Sequence, residues 1–84
     1  MALISKTNFE KITKERNYVH EPVKATFTTF ADGDKKYIQI DTYGSDSRKM
    51  KEKISQSIQI DKDMALELIK TISKEFDIEV FYKL

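Results

Sequence analysis

The sequence predicts an α+β domain: a curved antiparallel β-sheet meander packed against one C-terminal amphipathic helix. Three observations predict it. Tyr37-Ile-Gln-Ile-Asp-Thr-Tyr43 and Ile54-Ser-Gln-Ser-Ile-Gln-Ile60 alternate apolar and polar residues with period two. Asp32-Gly33 separates the first of these runs from an earlier one, and Asp-Gly is a strong hairpin signal because glycine takes positive φ without steric cost. Finally, Met64, Ala65, Leu68, Ile69, Ile72 and Phe76 fall on one helical stripe behind Asp61, a good N-cap.

Each element follows in order. Residues 1–21 are an N-terminal segment of open structure. Thr7-Asn-Phe-Glu10 fits a capping box that would start a helix with Phe9 and Ile12 on one face. The same residues also read as a strand, with Phe9, Lys11 and Thr13 alternating against Glu10, Ile12 and Lys14. Pro22 pushes Glu21 into an extended conformation. Residues 22–60 are the meander. Val23, Ala25 and Phe27 alternate with Lys24, Thr26 and Thr28 in a β-branched strand, and the hairpin turn covers residues 31–35. The return strand is residues 36–43, and a loop opening at Gly44 leads to the strand 54–60. Residues 61–76 are the helix, whose stripe is fit to cover the isoleucine face of the sheet. Residues 77–84 alternate again and read as a tail or an edge strand.

Composition bounds the function. The chain of 84 residues is one small domain, too small for a deep catalytic cleft, so a binding module is expected and no enzyme. Fifteen basic residues against 14 acidic ones leave a net charge of +1, so nucleic-acid binding must rest on local patches. There is no cysteine and one histidine, which excludes disulfides and a typical zinc site. No cofactor and no metal are expected. The absence of a long apolar run and of a secretory leader points to a cytoplasmic protein with no membrane contact.

The candidate chemistry lies on the two isoleucine-bearing strands and the loop between them. Ile38, Ile40, Ile58 and Ile60 share the core face. Tyr37, Gln39, Tyr43, Ser55, Ser57 and Gln59 share the other. Aromatic rings on an exposed sheet face can stack on unpaired bases, and the neighbouring hydroxyls and amides can reach base edges or phosphates. The bland alternative for the tyrosines is β propensity alone. Phe30, at the turn, is expected to fold under the hairpin. The loop adds Arg48, Lys49, Lys51 and Lys53 against Glu52, cations that would neutralise phosphates. Arg48 stands out, because a planar guanidinium contacts phosphate bidentately and lysine cannot. A second cluster, Lys11, Lys14 and Arg16, reads as a solvated helix face. Asp32 and Asp34 flank the turn glycine and read as turn chemistry, not as metal ligands.

The order strand, strand, basic loop, strand, capped helix over residues 23–76 resembles the positive-cofactor-four family of single-stranded-DNA-binding coactivators, and more broadly the Whirly-type domains. The resemblance rests on Tyr37 to Tyr43, the loop from Arg48 to Lys53, the strand from Ile54 to Ile60, and Asp61 with Met64-Ala-Leu-Glu-Leu-Ile69. It implies a transcriptional role in which two subunits pair through their helices and unpaired DNA tracks over the sheet face. It assigns base contact to Tyr37 and Tyr43, and phosphate contact to Arg48, Lys49, Lys51 and Lys53. The chain departs from the family pattern in entering the strand as Glu52-Lys-Ile54, without a glycine. The string Asp41-Thr-Tyr-Gly-Ser45, Arg48, Ser55-Gln-Ser-Ile-Gln59 also resembles a small domain that recurs in bacterial proteins and has no secure biochemical role.

The sequence therefore leads to a non-enzymatic module preferring single-stranded nucleic acid. It is expected to form a homodimer through the 64–76 helix or the 77–84 tail. The alternative is a protein-interaction module, a bacterial or phage regulator using the same face or an edge strand.

Overall fold

The computed structural model describes residues 1–44 and 53–80. Four strands form one curved, open sheet: β1 (Ala2–Ile4), β2 (Ala25–Asp32), β3 (Lys35–Tyr43) and β4 (Ile54–Ile60), in the order β1-β4-β3-β2. One helix, α1 (Lys62–Glu75), follows β4. The fold is the expected α+β class. Strands β2, β3 and β4 form the antiparallel meander. β1 adds to it in parallel, pairing Ala2 with Ile58 and Ile4 with Ile60, so the complete sheet is mixed. A three-residue strand has too few positions to show a period in the sequence.

The hairpin is set by a two-residue loop. Asp32 faces Lys35, leaving Gly33 and Asp34 between them, and Gly33 has φ +66°. That conformation is open to glycine at no Cβ cost. From the turn backwards the register runs Ala31 to Lys36 and Phe30 to Tyr37.

Residues 9–16 form neither the helix nor the strand that the sequence admits. Ser5 caps a single 3-10 turn at Lys6–Asn8, its hydroxyl accepting from the Thr7 amide at 3.3 Å and bonding the Thr7 hydroxyl at 2.8 Å. Residues 9–24 then run without regular structure, every one of them exposed. A short helix carrying only Phe9 and Ile12 as apolar contacts has nothing to pack on, and short helices are marginal in water without tertiary support.

Helix α1 begins as predicted: the Asp61 carboxylate accepts from the Met64 amide at 2.9 Å. It ends in a Schellman turn. Asp77 takes φ 53°, and the Ile78 amide donates to the Ser73 carbonyl at 2.9 Å. This folds Ile78 and Val80 back beside Leu68 and Ile72, so residues 77–80 are a returning tail and not an edge strand. Residues 81–84 lie outside the described residues.

The helix does not cover the isoleucine face as its stripe suggests. It leaves the sheet at Ile60, at one end of the strands, and packs on β3 and the 3-10 turn. Met64 in its first turn is fully buried, the only such apolar side chain among the described residues. Further along, Ile69, Ile72 and Phe76 are exposed.

Candidate nucleic-acid interface

The polar face is built by register. Cross-strand pairing sets Gln39 opposite Gln59, Asp41 opposite Ser57, and Thr26 and Thr28 opposite Asp41 and Gln39 on the other flank. Period two then places Tyr37, Gln39, Asp41 and Tyr43 on one side of β3.

These side chains bond mainly to one another. The Gln59 amide donates to Gln39 Oε1 at 2.8 Å, and the Gln39 amide donates to Asp41 Oδ1 at 3.0 Å. The Ser57 hydroxyl donates to the same carboxylate oxygen at 2.5 Å, in the range of charge-assisted O–H···O bonds. Asp41 and Ser57 are only 6% and 5% exposed. Ser57 is therefore committed to holding Asp41, and Gln39 and Gln59 to extending the chain. The sequence groups Ser57 and Gln59 with the ligand-contacting residues and assigns no partner to Asp41. Its partners prove to be a serine and a glutamine.

Ser55 is drawn off this face. A bulge interrupts the pairing at Thr42 and Tyr43, and Tyr43 faces Ile54. An extra residue in one strand re-aims its neighbours. The Ser55 hydroxyl lies 3.2 Å from that of Thr42 and donates to the Thr42 carbonyl at 3.3 Å.

The two predicted tyrosines mark opposite ends of the face. Tyr43 is the last residue of β3. Its hydroxyl bonds that of Thr26 at 3.1 Å, its amide donates to the Lys24 carbonyl, and the Lys24 ammonium sits 5.1 Å from the ring centroid. That separation is within cation–π range. Lys53, exposed, directly precedes β4. Arg48, Lys49 and Lys51 lie outside the described residues.

Tyr37 lies at the hairpin end, about 20 Å away along the strand at 3.3 Å per residue. It stacks on Phe30, with centroids 5.3 Å apart and ring planes 20° apart. Phe30 does not fold away under the hairpin. A groove of about 470 Å³ at this end is lined by the pair and Lys62, and also by Lys36, Ile38 and Ile60, which the same alternation assigns to the apolar face. Phe30 was findable: counting back from a two-residue Gly33-Asp34 turn places it opposite Tyr37.

The arrangement thus offers two aromatic stations, Tyr43 with Lys24 beside it and Tyr37 stacked on Phe30, joined by a self-satisfied polar strip. Among the described residues no cluster of His, Asp and Glu could hold a metal, and no helix is long and apolar enough to cross a membrane. Compared with known proteins, no family model matches the chain, and no curated protein or solved structure matches it significantly.

Proposed function

We propose that this chain is a non-enzymatic, cytoplasmic module that binds single-stranded nucleic acid across the polar face of its sheet. The observation that carries the reading is the pair of aromatic stations, Tyr37 on Phe30 and Tyr43 beside Lys24, toward the two ends of the polar side of β3. A strand running along β3 meets a ring at each end and a cation near each. The Asp41 carboxyl at the centre repels phosphate, so bases cross the middle and phosphates follow the edges. Lys24 serves one end, and Lys62 the other. The resemblance to the positive-cofactor-four pattern agrees with this reading.

The test is fluorescence anisotropy with labelled single-stranded and duplex oligonucleotides at low and high salt. Salt-sensitive binding that prefers single strands is expected. Tyr37→Ala and Tyr43→Ala are each expected to weaken it by about 1–3 kcal/mol, the scale of one base–aromatic stack. Absence of binding at low salt rejects the reading.

One observation favours a second reading, a protein-interaction module. The eight-residue strand β2 forms a sheet edge whose residues are almost all exposed, a template for capturing a partner strand. Such capture would be insensitive to salt, and the same titration separates the two.

A further inference from the structure

The apolar face of the sheet and the far half of α1 are both left uncovered. Ile38, Ile40, Ile58 and Ile60 share that face with Phe27, yet none of the five is buried, and Phe27 is 71% exposed. The three rows on this face, Ala25–Thr42–Gln56, Phe27–Ile40–Ile58 and Thr29–Ile38–Ile60, carry no charged residue. Opposite in kind but equal in need, Ile69, Ile72 and Phe76 stand out on the helix, with Phe76 69% exposed. Contiguous exposed apolar surface on this scale marks an interaction site.

The area involved identifies the occupant. A folded monomer of 9.8 kDa exposes about 5,200 Å² by the size scaling of globular proteins, whereas this chain exposes 8188 Å². Its radius of gyration is 15.3 Å, against about 12 Å for a compact chain of this length. Part of the surplus is the exposed 9–24 segment. The exposed sheet face and helix contribute to the rest of this surplus of about 3,000 Å², which is large enough to include the roughly 1,000–2,500 Å² per subunit that obligate dimers bury. A net charge of +1 sets no barrier to self-association.

We infer that a second copy of this chain completes the core, with the C-terminal half of each α1 lying on the apolar sheet face of its partner. Pairing of helix against helix alone would leave Phe27 and its row in water. Reciprocal placement covers both surfaces with the two kinds of apolar residue that the chain offers. A two-fold axis makes the contact self-complementary and closed. Both polar faces then point outward, so the arrangement does not depend on what they bind.

The absence of native cysteine makes the test direct. Single-cysteine variants Phe27→Cys, Ile69→Cys, Ile72→Cys and Phe76→Cys of the full chain are made, and the Phe27 variant is mixed with each helix variant under mild oxidation. Disulfide-linked heterodimers between sheet and helix variants are expected, in clear excess over helix-to-helix products. Dominant helix-to-helix products, or none at all, overturn the arrangement. Sedimentation and thermal melting of the unmodified chain provide an independent check. A mass twice 9.8 kDa and a Tm that rises with chain concentration are expected. A monomer that melts cooperatively at a concentration-independent Tm overturns the inference.

Discussion

On the polar face of the sheet, Asp41 and Ser57 are buried, and among the described residues no buried side-chain nitrogen or oxygen lacks a partner. On the apolar face of the same strands, every isoleucine is at least partly in water and Phe27 is mostly so. Ordinarily the apolar side is the finished one. The inversion follows from the reach of the two forces. A hydrogen bond needs one partner, and the neighbouring strand supplies it: Gln59, Gln39, Asp41 and Ser57 close their network within two strands. Apolar area needs a second layer laid over the sheet. A 14-residue helix leaving from one end of the strands supplies only a corner of that layer. One face is thus complete in a single chain, and the other is left open.

Five substitutions test this contrast. The largest effect is expected at Met64, the one apolar side chain that the chain buries fully by itself. Met64→Ala should cost about 2–5 kcal/mol in denaturant unfolding. A neutral result would mean that the helix is not anchored to its own sheet. Next is the polar strip. Asp41→Ala strands the Ser57 hydroxyl and the Gln39 amide and should cost about 1–3 kcal/mol. Combining it with Ser57→Ala should recover part of the loss, since the pair is then removed together. Strict additivity in that cycle would show that the strip is not a coupled unit.

The two smaller effects sit on neither face and set the scale of a purely local change. Gly33→Ala meets no atom within 4 Å, so only its φ of +66° resists, at about 1–2 kcal/mol. Asp61→Ala removes the bond to the Met64 amide and should cost about 0.5–2 kcal/mol, read from the same unfolding curves. If Asp41→Ala costs less than either, the polar face is an ordinary solvated surface and its apparent completeness carries no weight.

Much of the site was legible from local rules. Alternation in 37–43 and 54–60 identified the two faces, and Asp32-Gly33 identified the turn that pairs Phe30 with Tyr37. What escaped was longer-range. Ser57 looked like a contact residue because nothing in its own strand announces that Asp41 lies across from it. Ser55 followed the same alternation as Ser57 until the bulge broke it. The 9–16 segment carried a capping box and an apolar pair, but no neighbouring element offers a surface to stabilise either reading.

By itself the sequence determined the element types from β2 onward, the hairpin, the helix start at Asp61 and the division of the sheet into polar and apolar faces. These depend on period, turn residues and capping, which act over a few positions. Only the tertiary structure decided that β1 joins in parallel beside β4, that Asp41 anchors the polar strip, and that α1 diverges from the isoleucine face. Those outcomes depend on which strand end the helix leaves and on what lies across a strand gap. Neither is encoded in the spacing of residues along one element.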